Sequence, residues 1–135
     1  MRLWLASLGL HVRPSCTHGE NNCLIDSLRQ CLGMFSDRKA VRSDLVTEFG
    51  CMQGREQVTQ SSYLDVELHW RSIVRSLFLH NTSGLPVECD LDCYCVIALY
   101  ANRQGHGVVA GNPQASHRLV VMNELDIHFD PCLRF

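Results

Sequence analysis

A cysteine that directly follows two asparagines has the setting of a nucleophile. Cys23 lies in the stretch GENNCLIDSL, residues 19–28, where it precedes an apolar pattern of helical period. At a helix N-terminus, unpaired backbone N–H groups and the helix dipole favour negative charge. We therefore expect the thiol pKa to fall below its free value of about 8.5, and the same N–H groups could receive an oxyanion. The alternative interpretation of this segment is a capped helix whose cysteine simply packs.

The two asparagines suit the turn that leads into this helix. Asparagine caps helix N-termini through its side chain, and it tolerates left-handed backbone conformations better than most residues. Asn21 and Asn22 are therefore expected to shape the loop in front of Cys23.

A general base must come from elsewhere, and the stretch DIHFDPC contains the best candidate among seven histidines. His128 and Asp130 are two residues apart on a predicted strand, so their side chains project from the same face. The carboxylate would accept the imidazole Nδ1–H and leave Nε2 to accept a proton. An edge strand with a polar outer face would show the same pattern. Structural or surface roles are predicted for the other histidines: His11, His18, His69, His80, His106 and His117.

The elements that must position these residues are helices first and strands second. Helices are predicted from Cys23 to a stop at Gly33, over about 38–49, and within 62–79, where Trp70 and Phe78 belong to the core stripe. Short strands rich in β-branched and aromatic residues follow at 93–100, 106–111, 118–124 and 126–130. This order predicts an α+β fold with helices packed against a small, mostly antiparallel, meander-like sheet.

The composition is that of one globular domain over residues 1–135, either a protein by itself or a piece of a longer one. Hydrophobic residues make up 46%, charged residues 19%, and the formal net charge is −2. This balance gives no sign of a nucleic-acid-binding surface. No run approaches the roughly 18 apolar residues that a membrane helix needs. We interpret the opening MRLWLASLGL as part of the fold rather than as a secretion signal, and we expect a monomer.

The eight cysteines do not predict a disulfide scaffold. Several lie in apolar periodic runs, where a reduced thiol behaves as a small hydrophobic group, so a reducing compartment is favoured. The spacing of Cys89, Cys93 and Cys95 differs from the C-x2-C of zinc sites, and no second pair follows. We therefore predict no metal site.

Together, GENNCLIDSL and DIHFDPC resemble the two signature blocks of the ovarian-tumour (OTU) cysteine proteases. Members of that family carry an Asp-Gly-x-Cys block near the start and a His-aromatic-Asn/Asp block near the end. The resemblance implies a papain-like fold with Cys23 as nucleophile, His128 as general base and Asp130 as orienting acid. It also implies an oxyanion-hole loop at Glu20, Asn21 and Asn22, with Glu20-Asn21 in place of the usual Asp-Gly.

The resemblance further implies hydrolysis of isopeptide bonds after the C-terminal tail of ubiquitin, without a metal or organic cofactor. Ubiquitin or polyubiquitin would be the partner, in a cytosolic, reducing compartment. Compact domains of this kind resemble bacterial toxins or effectors that act in the cytosol of a host cell. Two alternatives stay open: a Cys-His-Asp amidase, peptidase or deamidase with another substrate, and a catalytically weak ubiquitin-binding module.

Overall fold

The computed structural model describes residues 2–15, 21–81, 90–101, 106–124 and 128–134. Four α-helices and five strands are formed, together with two short 3-10 helices at Gly54–Glu56 and Leu91–Cys93. The helices are α1 (Arg2–Ser7), α2 (Cys23–Cys31), α3 (Arg38–Phe49) and α4 (Val66–Leu79). The strands are β1 (Leu10–Val12), β2 (Tyr94–Tyr100), β3 (His106–Gly111), β4 (His117–Glu124) and β5 (His128–Arg134).

The strands form one sheet in the order β1-β5-β4-β2-β3. Only the pairing of β2 with β4 is parallel, while β1 with β5, β4 with β5 and β2 with β3 are antiparallel. The α+β class and the mostly antiparallel sheet are therefore confirmed.

The meander-like order expected for the sheet is wrong, because β4 pairs with β2 rather than with β3. The reason lies in the residues of β2, YCVIALY, which include buried side chains on both faces of the sheet. Such a strand is stable between two others, whereas β3 alternates exposed and buried residues along its described part and lies at the edge. The opening segment also forms α1 and β1, two elements that the sequence patterns did not specify.

Two apolar clusters hold the layers together. The larger one joins α2, α3 and α4 to one face of the sheet, and the stripe predicted in α4, which includes Trp70, Ile73 and Leu77, is buried in it. The smaller one places Leu5 of α1 against Leu99, Met122 and Cys132. Since side chains alternate along a strand, α1 covers the face opposite to the other helices. None of the helices in the described part of the chain is long and apolar enough to cross a bilayer.

Candidate active site

The first residue of α2 is Cys23, which lies beside β5. The backbone of Phe129 hydrogen-bonds its sulfur, so the thiol is next to the residue that directly follows His128. Further along α2, the Ser27 hydroxyl donates to the Phe129 carbonyl oxygen over 3.0 Å. These contacts hold the start of α2, which carries Cys23, against the start of β5, which carries His128 and Asp130.

The pKa of the Cys23 thiol is raised, contrary to the expectation of a lowered one. Burial is the largest cause, because Cys23 is only 5% exposed and a thiolate loses its hydration there. Backbone hydrogen bonds of Phe129, Leu24 and Cys23 itself lower the pKa, as expected at a helix N-terminus, but burial outweighs them. The nearby Asp130 carboxylate raises it further. A neutral thiol is thus the resting form at neutral pH.

His128 and Asp130 are hydrogen-bonded to each other on β5. The distance from the imidazole Nε2 to Asp130 Oδ1 is 2.9 Å. The same carboxylate oxygen accepts the backbone N–H of Ser15 over 2.9 Å, and the Ser15 hydroxyl donates to the Phe129 carbonyl over 2.7 Å. The Asp130 side chain is 10% exposed and that of His128 is 39% exposed. The carboxylate is therefore held in place, while the imidazole is open to solvent.

The imidazole nitrogen that faces Asp130 is the opposite of the expected one. An ionised carboxylate can only accept hydrogen bonds, so Nε2 donates its proton to Asp130 and Nδ1 is left to accept. The strand alternation predicted this pair correctly but could not decide which ring nitrogen faces the carboxylate, because that depends on the side-chain rotamer. Nδ1 is therefore the ring nitrogen left to accept a proton.

The loop in front of Cys23 has a left-handed turn at Asn21. Its φ of 55° is the one positive value among the described non-glycine residues, and it corresponds to the glycine of the family block. The Asn21 side chain donates to the Ser61 carbonyl, which fastens the loop to the segment before α4. Glu20, the third residue assigned to this loop from sequence, lies outside the described residues.

The side chain of Asn22 does not cap α2, although Asn22 occupies the N-cap position. Its Oδ1 instead accepts Nε–H of Arg42 over 2.9 Å. Arg42, on α3, is 1% exposed and also donates to the Asn21 carbonyl oxygen over 2.8 Å. Its Nη1 donates to the carbonyl oxygens of Thr59 and Ser62 over 3.2 and 2.9 Å. One buried guanidinium thus joins the loop before Cys23 to the loop before α4.

We expect alanine at position 21 to lower the stability of the protein more than glycine does. Asn21→Ala should destabilise the protein by about 1–2 kcal/mol, because a Cβ without a compensating side chain is unfavourable in the left-handed region. Asn21→Gly should cost less than about 1 kcal/mol, since glycine adopts this conformation freely and only the bond to Ser61 is lost. Urea unfolding of both variants measures the difference. Equal losses would argue against a strained turn at this site.

Arg42, Ser15 and Ser27 are functional candidates that sequence reasoning missed. For Arg42 a signal exists, because it lies three residues before Leu45 on the apolar side of the predicted helix. For Ser15 no signal exists, since it meets Asp130 only through a contact between residues 115 positions apart. Two of the remaining histidines have other partners: His69 is fully buried and accepts the Asp65 N–H, and His80 pairs with Asp44 over 2.8 Å.

No disulfide joins any two of the described cysteines, namely Cys23, Cys31, Cys51, Cys93, Cys95 and Cys132. Within the described ranges, no three His, Cys, Asp or Glu side chains are grouped so that they could hold a metal ion. Cys89, whose spacing from Cys93 and Cys95 was compared with that of zinc sites, lies outside those ranges, as does His18.

No family model and no curated protein sequence matches the chain. Among solved structures, it is similar to an OTU deubiquitinase from Wolbachia pipientis wMel, with 15% sequence identity and a TM-score of 0.48 over 93% of this chain and 89% of that chain. It is also similar to a crystal structure of an OTU deubiquitinase from the same organism bound to ubiquitin, with 16% identity, a TM-score of 0.39 and coverage of 93% and 96%.

Proposed function

We propose that the chain is an OTU-like cysteine hydrolase that cleaves isopeptide bonds after the C-terminal tail of ubiquitin. The observation that supports it most is the contact of the Cys23 sulfur with the Phe129 backbone, directly between His128 and Asp130 in sequence. This contact supports the proposal that Cys23 acts as nucleophile beside a base and a group that orients it, both at the start of β5. The choice of ubiquitin rests on the resemblance of the two sequence blocks.

In the first step of the proposed mechanism, His128 Nδ1 takes the proton of the Cys23 thiol as the sulfur attacks the substrate carbonyl. Asp130 accepts the Nε2–H throughout and stabilises the imidazolium that forms. The backbone N–H groups at the start of α2 are available to the oxyanion. The imidazolium then gives its proton to the leaving lysine amine, and an acyl-enzyme remains.

In the second step, His128 accepts a proton from water, and the hydroxide attacks the thioester carbonyl. The carbon–sulfur bond breaks, the ubiquitin carboxylate leaves, and the proton returns to the sulfur. A neutral resting thiol fits this scheme, because the thiolate is then formed only when the base accepts its proton. It also limits unwanted reactions of Cys23 between turnovers.

A ubiquitin probe with a C-terminal vinyl electrophile tests the proposal directly. We expect one covalent adduct, which raises the mass of the protein by that of one probe and is lost in Cys23→Ala. Cys51→Ala is the matched control, because Cys51 is free and exposed but lies outside the site. It should react as the parent does.

Failure of the parent to react would contradict the proposal. If Cys23 then still reacted with a small alkylating agent, an amidase or peptidase with a different substrate would be the better reading. Saturable ubiquitin binding that Cys23→Ala does not weaken, with no cleavage of any of the eight diubiquitin types by the parent, would instead identify a binding module.

A further inference from the structure

A cavity of about 520 Å³ lies beside the candidate active site, where β2 and β4 end and β5 begins. Phe129, which directly follows His128 and whose backbone contacts the Cys23 sulfur, forms one wall. The start of α4 forms another through Val66 and Leu64. The cavity and the Cys23 sulfur therefore share Phe129 as a neighbour.

A buried amide in the cavity wall lacks a hydrogen-bond donor. Asn123 on β4 is 1% exposed, and its Oδ1 has no partner in the described part of the chain. A buried acceptor without a donor destabilises a folded protein, and such atoms are rare in native structures unless water or a ligand satisfies them. Because Asn123 lines the cavity, a ligand that brings an N–H group into it can supply the missing donor.

The charges of the cavity indicate what kind of N–H group this is. Asp65 and Glu67 contribute two carboxylates, and Arg55 neutralises one of them through a bond of 2.6 Å to Asp65, so a net negative charge remains. The rings of Tyr100 and Phe129 add surfaces that attract cations. A cationic group on an aliphatic stem fits this lining. Its N–H groups suit the amide oxygen, its charge suits the carboxylate that Arg55 does not neutralise, and its stem suits the apolar walls.

We infer that this cavity binds a lysine or arginine side chain of the cleaved polypeptide, and that Asn123 determines this specificity by accepting its N–H. The identification of the bound chain as the substrate rests on the proposed function. The preference of the cavity for a basic side chain does not, because it follows from Asn123, Asp65 and Glu67 and not from the chemistry of Cys23.

Nuclear magnetic resonance titration of the full chain separates these two statements. The probes are the α-N-acetylated amides of arginine and lysine, with that of norleucine as the neutral control. We expect saturable shifts of the Asn123 side-chain NH₂ signal with the basic probes at millimolar concentration, and at least tenfold weaker binding of norleucine. Asn123→Leu should weaken binding of the basic probe by about tenfold, as expected for a hydrogen bond to a charged group.

The matched variants distinguish binding from a structural role. Asn123→Leu should leave Tm unchanged or higher, because it removes an unsatisfied buried amide, whereas a structural asparagine would lower Tm without changing affinity. Glu67→Gln should weaken binding about threefold, and Glu56→Gln, an exposed glutamate outside the cavity, should not change it. Equal binding of norleucine and arginine, or full affinity in Asn123→Leu, would overturn the inference. Basic-probe binding by a chain that never reacts with ubiquitin would overturn only the proposed function.

Discussion

Replacing Cys23 by alanine should lower kcat/KM for a fluorogenic ubiquitin C-terminal amide by about ten-thousand-fold or more. The reason is that the proposed acyl-enzyme forms on the Cys23 sulfur, so without it only binding and oxyanion stabilisation remain. His128→Ala should cost a similar factor, because the pKa of the Cys23 thiol is raised by burial and the thiol needs a base to ionise. Steady-state kinetics with purified variants of matched folded fraction measure both effects.

Two substitutions of Asp130 test whether the oxygen that faces His128 is needed for activity. The oxygen that faces His128 Nε2 also accepts the Ser15 N–H, so an amide at position 130 would keep its oxygen in that place. Asp130→Asn should therefore retain activity within about tenfold of the parent, because its oxygen still accepts the Nε2–H, whereas Asp130→Ala should lose much more. If all three single variants at Cys23, His128 and Asp130 were as active as the parent, the site would lie elsewhere.

The raised pKa of Cys23 also determines how its reactivity depends on pH. A free cysteine is half ionised at about pH 8.5, so its alkylation rate levels off in the range about one to two units above that. Because burial favours the neutral thiol, the rate of Cys23 with iodoacetamide should still increase above that range. Mass spectrometry of the Cys23 peptide after short exposures follows this rate. A plateau near or below pH 7 would mean that the thiolate is stabilised after all.

Local patterns predicted the elements well where the pattern was long and periodic. The stripe of α4 and the helix that starts at Cys23 occur as expected, since an apolar face of helical period can be buried in few other ways. The strand order could not be predicted, because the parallel pairing of β2 with β4 depends on the whole sheet and not on the hairpin between neighbours. Short α1 and β1 lack enough residues to show a period.

For the site, spacing identified the pair on β5, because a two-residue separation places both side chains on one face. The electrostatics of Cys23 were predicted with the wrong sign. The N-terminus of a helix is visible in sequence, whereas the burial that outweighs it arises only when the chain packs into its core. The role of Arg42 could not be predicted for the same reason, because its hydrogen-bond acceptors lie on two loops and the sequence of its own helix does not reveal them.

The second large effect is expected at Arg42, where Arg42→Met should destabilise the protein by about 3–5 kcal/mol. Methionine keeps much of the side-chain volume, but the Asn22 side chain and the carbonyls of Asn21, Thr59 and Ser62 lose their donor in the interior. That loss is a large part of the typical stability of a small domain. Urea unfolding at low temperature measures it.

Two further arginine variants separate the hydrogen-bond geometry from charge and volume. Arg71→Met removes an exposed arginine that lies 3.7 Å from Asp92, and it should cost less than about 1 kcal/mol. Arg42→Lys keeps the charge but cannot reproduce the planar fork, so it should fold with intermediate stability. Because Arg42 holds the loop that leads into Cys23, this folded lysine variant should also lose kcat more than it raises KM. A lysine variant with the parent's stability and kcat would mean that the guanidinium does not position the nucleophile.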